Sequence, residues 1–487
     1  MAIIHHEVKF LLKHSLVYGL GSMLSRVVAF LLLPLYTRYL TPTDYGVLEL
    51  IGATSSLLGL VLGLGVTGAL ARFYYELPPP KQPRLVSTVY MLVAAGAALA
   101  FFPCMLASPW LATVVLDGPQ YTRHFQIGFA SLLIGLTSDI NMSYLRLLYR
   151  STASIVVALT SMVLTISINI FLIVWLNFGV LGVLTGNLIA QILIGVPLTF
   201  AILYRIGFRP NVTLARDVLA YSAPLIPALL LTAIAANADR YFIKHFVSLA
   251  DTGIFGLATK LAGSLNLLIT STFMTTFSAR RFEIAKQPGA ERILARIYDF
   301  YVVAFLLPAT VLAIFVREIL VAMSTPAYYR AGDFVPIILL QLLAVGIHFH
   351  VEFGILYSNQ TRYFLYANAL ARTSHVIMAF LLVRTLGVWG ATLAGLLSAC
   401  LHSLVLHLMA SRLFYIRFNF VRTGQALLLA ATAVALAAVV PAENLFVGIT
   451  FKVLLSTAFV LSVVWLYNVR ALDIVQFARR GPASTAA

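Results

Sequence analysis

Fourteen apolar stretches of about 20 residues follow one another along the chain and constrain its fold more than any other feature. A helix of that length crosses a bilayer and satisfies its own backbone hydrogen bonds in lipid. Because 61% of the residues are hydrophobic and only 10% are charged, against about 25% in a globular domain, a water-soluble enzyme is excluded. The long unbroken runs also exclude a barrel of short alternating strands. We therefore predict an all-α integral membrane protein with about 14 transmembrane helices. The predicted spans cover residues 16–37, 47–70, 86–107, 125–145, 152–176, 180–203, 218–238, 254–278, 298–316, 335–357, 364–383, 388–410, 425–441 and 447–469.

The distribution of Lys and Arg predicts which side of the membrane each connection faces. Of the 33 Lys and Arg residues, 22 fall in one set of alternate connections and termini, 7 fall in the other set, and four lie within spans. Cytoplasmic connections are the ones enriched in Lys and Arg. Both termini are therefore predicted to be cytoplasmic. The net charge of +16 is interpreted as a topology signal that also suits anionic lipid headgroups, and no nucleic-acid partner is predicted.

Two halves of the chain share a short sequence pattern. Asp44-Tyr45-Gly46 follows the first span, and Asp251-Thr252-Gly253 follows the seventh, about 207 residues later. Six spans separate the two copies, so the halves are expected to be parallel repeats. The pattern predicts two six-helix lobes around a central cavity, residues 1–217 with helices 1–6 and residues 218–413 with helices 7–12. Residues 414–487 would add helices 13–14 and a cytoplasmic tail.

Polar and ionisable residues occur at helical spacing inside the spans. A charge at a helix centre costs about 2.5–3.5 kcal/mol on insertion scales, so such residues are expected to face a wet cavity or a partner. One interpretation is a shared cavity, partly cationic and rich in amides and hydroxyls; the other is a set of structural ties between helices. Lys452, near the end of its span, is interpreted as reaching the interface. The candidates for the cavity are Arg26, Asp139, Asn169, Asn187, Gln191, Asp239, Lys260, His348, Glu352, Asn368, Arg372 and His375.

The residue types suggest a ligand and leave two other functions open. Arg donates two parallel hydrogen bonds to phosphate, and amides and hydroxyls suit sugars, so the set favours an amphiphile with a diphosphate and a glycan. The chain lacks a P-loop, and its two cysteines, Cys104 and Cys400, offer neither a disulfide framework nor metal-ligand spacing. A transporter that is not an enzyme and binds no metal is predicted. A membrane glycosyltransferase or polymerase is the enzyme alternative, although the longest outside connection, 317–334, is short.

Several motifs resemble one known family. The run from Gly19 through Arg26 and Pro34 to Asp44-Tyr45-Gly46, and the segment Tyr221-Ser222-Ala223-Pro224 with the later Asp239 and Lys260, resemble the two halves of bacterial O-antigen and exopolysaccharide flippases. These belong to the multidrug/oligosaccharidyl-lipid/polysaccharide exporter superfamily. The resemblance covers roughly residues 10–420. The chain departs from the family after Gly253, where a Tyr-Ser pair is common, and at Ser278-Ala279, where a proline is common.

The resemblance implies a flippase that moves a polyprenyl-diphosphate-linked oligosaccharide across the bacterial cytoplasmic membrane by alternating access. It implies no cofactor, and coupling to a proton or sodium gradient. Besides the lipid-linked substrate and the bilayer, a polysaccharide polymerase and chain-length machinery would be partners. A drug/cation antiporter of the same superfamily is the alternative, and it should favour an acidic cavity. By analogy, Arg26, Lys260 and Arg372 would contact the diphosphate, and Asp139, Asp239 and Glu352 would couple an ion. Asn169, Asn187, Gln191, His348, Asn368 and His375 would complete the polar lining.

Overall fold

The fold is helical throughout the part of the chain that the structure, a computed structural model, describes: residues 32–63, 65–439 and 445–468. Every regular element in these residues is a helix or a single helical turn, which confirms the all-α prediction. Twelve helical stretches here are long and apolar enough to cross a membrane. The first predicted span, 16–37, lies mostly outside the described residues. The fourth, 125–145, forms a helix of 26 residues, long enough to cross but less apolar than the twelve.

The helices have the following bounds in chain order: α1 Leu33–Tyr39, α2 Pro42–Leu62, α3 Val66–Glu76, α4 Gln82–Leu116, α5 Thr122–Leu147, α6 Ser151–Ile170, α7 Gly179–Ile206, α8 Val212–Ser222, α9 Ile226–Phe246, α10 Leu249–Asn266, α11 Thr272–Ile284, α12 Ala290–Met323, α13 Ala331–Val351, α14 Phe353–Tyr357, α15 Thr361–Leu386, α16 Val388–Ala410, α17 Phe420–Val439 and α18 Leu445–Tyr467. Single turns of π-helix, Phe171–Trp175 and Leu267–Ser271, follow α6 and α10.

The chain divides into two compact units. Of the described residues, those within 32–260, 323–331 and 369–394 form the first unit, and those within 261–322, 332–368 and 395–468 form the second. The predicted lobe boundary at residue 218 therefore does not coincide with a unit boundary and stays a prediction. In the first unit, α4, α5 and α7 bury a common apolar cluster that includes Val89, Ile140 and Ile202. In the second unit, Phe277, Leu294 and Phe353 share a buried cluster.

The internal repeat is visible in how two helices begin. At the start of α2, the Thr41 hydroxyl accepts from the Asp44 N–H at 3.2 Å while the Asp44 carboxylate accepts from the Thr41 N–H at 3.0 Å. At the start of α10, the Asp251 N–H donates to the Ser248 hydroxyl at 2.9 Å, and that hydroxyl donates to Asp251 at 2.6 Å. Equivalent residues are 207 positions apart in both pairs. Each cap satisfies backbone N–H groups that a helix start leaves unpaired.

The same two helix starts pack directly against each other inside the first unit. A Cβ on Gly46 would lie 2.0 Å from the Leu249 carbonyl oxygen, and a Cβ on Gly253 would lie 2.0 Å from the Pro42 carbonyl oxygen. Gly253 is equivalent to Gly46, and Leu249 is equivalent to Pro42, at the same offset of 207 residues. One contact is thus made twice with the roles exchanged, which is the signature of a local two-fold relation. The backbones approach so closely that only glycine fits at either position.

Candidate functional site

Glu49 of α2 is the centre of a charged cluster in the first unit. Its carboxylate accepts from Arg240 Nε of α9 at 2.8 Å through Oε2 and lies 2.7 Å from Lys260 Nζ of α10 through Oε1. Only 6% of the Glu49 side chain is accessible. One buried anion therefore pairs with two cations from two other helices, and each carboxylate oxygen has a charged partner. One positive charge of the cluster is left without a counter-charge among these three residues.

Local packing explains how Glu49 reaches both cations. A Cβ on Gly256, one turn before Lys260, would lie 2.5 Å from Glu49 Cγ, so the glycine leaves the space that the Glu49 side chain fills. The Lys260 ammonium also lies 4.5 Å from the centre of the Tyr45 ring, a cation–π distance. Nevertheless, 49% of the Lys260 side chain remains accessible within a helix of membrane-spanning character. Lys260 is thus held in place by Glu49 and Tyr45 and is still open to a further anion.

A contact between an imidazole and a carboxylate joins α9 to α15. His375 Nε2 lies 3.3 Å from Asp239 Oδ2, and both residues are buried. Phe380 of α15 packs edge-on against Phe242 of α9, which holds the two helices together beside the pair. Adjacent residues of α9 therefore contact different helices: Asp239 contacts α15 and Arg240 contacts α2. The structure brings together two residues, Asp239 and His375, that the sequence named separately.

Arg372 lies one turn before His375 on α15. No carboxylate in the described part of the chain comes within ion-pair distance of it, and its Nε is buried without a hydrogen-bond partner. A half-buried guanidinium without a carboxylate suits an anion that arrives from outside the protein.

Asn169 ties α6 to α1 near the charged cluster. Its amide donates to the Tyr36 hydroxyl at 2.8 Å, and the Tyr36 hydroxyl in turn interacts electrostatically with Lys260. A Cβ on Gly186 of α7 would lie 1.9 Å from Asn169 Oδ1, so this glycine admits the amide. Asn169 is fully buried and serves as an interhelical contact here.

The other predicted polar residues of the first unit are more scattered. Asp139 is exposed on α5 and forms no ion pair among the described residues. Asn187 and Gln191 are half-buried on α7, where Gln191 packs against Gly135 of α5. Arg26, the third predicted diphosphate contact, lies outside the described residues. The polar set that comes together is therefore centred on Glu49, Lys260 and the Asp239–His375 pair.

The second unit holds its own buried polar group. Glu352 Oε1 lies 3.6 Å from Arg281 Nη2, and Arg281 Nη1 donates to the Phe349 carbonyl at 2.8 Å. The His348 ring packs against the His402 ring with centroids 5.0 Å apart. Asn368 donates to the Phe364 carbonyl of its own helix at 2.9 Å. The sequence places His348 and Glu352 one helical turn apart, which suggests that they form a pair. In the structure, His348 packs against His402 and Glu352 contacts Arg281.

Two charged residues in these clusters were missed by sequence reasoning. Glu49 was not singled out, although it is a lone carboxylate inside a predicted span, and that is the signal that marks it. Arg281 counts toward the predicted cytoplasmic connections, and the structure adds that it is buried at the end of α11 against Glu352. Lys452 was interpreted as reaching the interface, and the structure corrects this, because its ammonium lies 2.6 Å from Glu318. No group of three or more metal-ligating side chains comes together in the residues that the structure describes.

The spans, and the charged residues buried within them, define a multi-pass membrane protein with a transporter fold. Residues 11–277 match the family described as polysaccharide biosynthesis protein, and the chain belongs to this family. The Lsg locus protein 1 of Haemophilus influenzae is 23% identical over 322 residues, 63% of this chain and 75% of that protein.

Two solved structures show the fold. The lipid II flippase MurJ in an inward closed conformation is 13% identical, with a TM-score of 0.72 over 94% of this chain and 100% of that chain. An inward-facing multidrug resistance MATE family transporter of the MOP superfamily is 15% identical, with a TM-score of 0.61 over 82% of this chain and 94% of that chain. The fold predicted by resemblance is therefore confirmed.

Proposed function

We propose that the protein is a flippase for a polyprenyl-diphosphate-linked oligosaccharide in the bacterial cytoplasmic membrane. Membership of the polysaccharide biosynthesis protein family supports a glycan-related role, and the MurJ-like fold supports movement of a lipid-linked headgroup. The protein would work by alternating access without a cofactor and without making or breaking covalent bonds. Both termini would be cytoplasmic, and a polysaccharide polymerase and chain-length machinery would act on the translocated product.

The observation that carries the proposal is the accessible and positively charged side chain of Lys260. A lysine whose side chain is 49% accessible in a membrane-spanning helix, and whose ammonium is held by Glu49 and Tyr45, is a fixed positive charge suited to an anionic headgroup. Arg372, which has no carboxylate partner among the residues that the structure describes, would supply the planar donor pair that phosphate oxygens accept. Both are cationic, which favours a diphosphate over the cationic drugs of the antiporter alternative.

The test is polymer export in cells that carry single substitutions. Lys260→Ala and Arg372→Ala should each stop or strongly reduce surface polymer while the amount of protein in the membrane stays normal. Arg384→Ala, on the same helix as Arg372 but exposed, is the matched control and should export normally. Normal export in both site variants would show that Lys260 and Arg372 do not bind the substrate. If the variants became sensitive to drugs without any change in lipid-linked oligosaccharide, the antiporter would be favoured.

Ion coupling is proposed for the Asp239–His375 pair. A carboxylate and an imidazole 3.3 Å apart in a membrane-spanning region can hold a proton between them or give it up, and the carboxylate oxygens are also suitable for sodium. Flipping measured in proteoliposomes should depend on an imposed proton or sodium gradient in the wild type. Asp239→Asn should remove that dependence, and full gradient dependence in this variant would contradict the assignment.

A further inference from the structure

Two connections that are predicted to face outside repeat each other at the same offset of 207 residues as the two helix starts. Pro119–Tyr121 leads from α4 into α5, and Pro326–Tyr328 leads from α12 into α13. Each is a single 3₁₀ turn with proline at its first position, closed by a hydrogen bond from the tyrosine N–H to the carbonyl three residues earlier, at 3.3 and 3.0 Å. Because proline fixes its own φ, each turn holds its tyrosine in a defined position.

The second of these connections, residues 323–331, belongs to the first unit, although nearly all of α12 and α13 belongs to the second unit. The Thr37 hydroxyl near the end of α1 lies 2.8 Å from the Met323 carbonyl oxygen. Tyr328 is fully buried, and its hydroxyl donates to the Leu40 carbonyl at 3.0 Å. The connection is therefore fastened to the segment that leads from α1 into α2.

The first connection, residues 117–121, makes the equivalent contact in the other direction. Lys244, near the end of α9, is equivalent to Thr37 at the offset of 207 residues, and its ammonium lies 2.6 Å from Asp117 Oδ1. Asp117 in turn is equivalent to Ser324, which follows Met323. Each connection therefore holds the helix end that belongs to the other copy of the repeat.

The second connection also reaches the start of α10 and the neighbourhood of Lys260. Arg330 Nη1 lies 3.2 Å from Oδ1 of Asp251, the residue that caps α10. The Tyr328 ring packs edge-on against the Tyr45 ring with centroids 6.1 Å apart, and the Lys260 ammonium lies 4.5 Å from the centre of the Tyr45 ring. The connection and the proposed headgroup contact are therefore linked through one aromatic ring.

We propose that the connections 117–121 and 323–331 form an outer clasp that closes the Lys260 site toward the outside and opens when the headgroup is released there. The inference rests on the proposed function and names the contacts that break in one step of the transport cycle. A movement of α12 and α13 during alternating access would pull the second connection away from α1. The hydrogen bonds and ion pairs of the clasp can break reversibly, because water replaces each lost partner at a small net cost.

The first experiment locks the second connection in place. Arg330→Cys and Asp251→Cys are combined in the full-length protein with Cys104→Ala and Cys400→Ala, and a short bis-maleimide that contains a reducible disulfide links the two thiols. The linked protein should still bind the lipid-linked oligosaccharide fraction extracted from cells that lack the gene, but it should not flip that fraction in proteoliposomes. Reduction of the linker should restore flipping in the same sample, which excludes misfolding as the cause. Arg330→Cys alone, carrying the same reagent, is the control and should flip the fraction.

The second experiment measures how accessible the site is from outside and needs no substrate. A membrane-impermeant maleimide is added outside to the protein with Lys260→Cys, again without its own cysteines. Tyr328→Phe removes one hydrogen bond of the clasp, and Asp117→Ala removes its ion pair with Lys244. Each should speed labelling about fivefold, the change in equilibrium that the loss of one net hydrogen bond produces. Tyr329→Phe makes the same chemical change one residue later and should label at the unaltered rate.

The possible outcomes separate this inference from the proposed function. Failure of the wild type to bind or flip the oligosaccharide fraction would remove the proposed function, and the labelling rates would still decide on the clasp. Flipping at the same rate before and after reduction of the linker would overturn the clasp alone. Equal labelling rates in Tyr328→Phe, Asp117→Ala and the parent chain would overturn it as well. A linked protein that no longer binds the fraction would show that the closed clasp is not the state that takes up the headgroup, and this too would overturn the inference.

Discussion

Glu49 and Lys260 are joined by a contact of 2.7 Å between the carboxylate of a buried side chain and the ammonium of a half-exposed one, and the same carboxylate holds Arg240. The loss of one partner has different consequences from the loss of the other. Removal of the carboxylate leaves two cations without a counter-charge, whereas removal of the ammonium leaves the carboxylate paired with Arg240. This asymmetry separates a stabilising role from a role in binding.

Glu49→Ala should destabilise the protein by about 3 kcal/mol, because loss of one partner leaves buried charge uncompensated. Lys260→Ala should cost about 1 kcal/mol or less, since Glu49 keeps Arg240 and the lysine is half exposed. Melting temperatures in detergent would measure both. If Lys260→Ala proved the more destabilising variant, Lys260 would be chiefly structural and its assignment to the substrate would fail.

Gly46→Ala and Gly253→Ala should each prevent the close approach of α2 and α10. The added Cβ would meet a backbone carbonyl oxygen at 2.0 Å in either variant, and backbone cannot move aside as a flexible side chain can. We expect a lower melting temperature and reduced export.

Gly52→Ala in α2 and Gly263→Ala in α10 are the controls for that pair, because a Cβ there meets no atom of the described part of the chain within 4 Å. Alanine also favours helix over glycine by about 1 kcal/mol, so these controls should be neutral or slightly more stable. If all four substitutions lowered the melting temperature and export equally, the close contact between the two helix starts would not be the cause of those losses.

The spans could be predicted from the sequence because a run of about 20 apolar residues is a local signal. The two matching helix starts could be predicted for the same reason, since Asp44 and Asp251 each sit in a short pattern before an apolar run. What the sequence could not supply is which helix lies beside which. The partner of Glu49, Arg240, is 191 residues away, and periodicity within one helix carries no information about such a contact.

The candidate site was predictable in its residue types and not in its pairings. Asp239 and His375 were both singled out because ionisable residues are rare in spans, yet nothing in either helix indicates that they touch. The run of basic residues around Arg281 predicts a cytoplasmic connection, and this stays a prediction. The burial of Arg281 against Glu352 depends on tertiary packing, about which a count of basic residues carries no information.

The contact between Asp239 and His375 should appear as an interaction energy in a double-mutant cycle. Asp239→Ala and His375→Ala should each destabilise the protein, and the double variant should be about 1 kcal/mol more stable than the sum of the two losses predicts. Thermal unfolding of the four proteins measures the cycle. A parallel cycle with His245, exposed on the same helix as Asp239, should be additive. Additivity in both cycles would mean that the 3.3 Å contact contributes no coupling.

Lys452 and Glu318 provide a test of a buried pair in the second unit. Their contact of 2.6 Å joins α18 to α12, and the second carboxylate oxygen of Glu318 is buried and has no hydrogen-bond partner in the described residues. Lys452→Met removes the charge but keeps an apolar chain of similar length, so it should cost about 3 kcal/mol by leaving the carboxylate unpaired.

The double variant Glu318→Gln with Lys452→Met removes both charges at once and should recover most of that loss, because an apolar and neutral pair needs no compensation. Melting temperatures in detergent would distinguish the single from the double variant. If Lys452→Met were as stable as the wild type, the ammonium would be reaching the lipid interface and would not be pairing with Glu318. A double variant as unstable as the single one would instead attribute the loss to altered packing of the lysine stem.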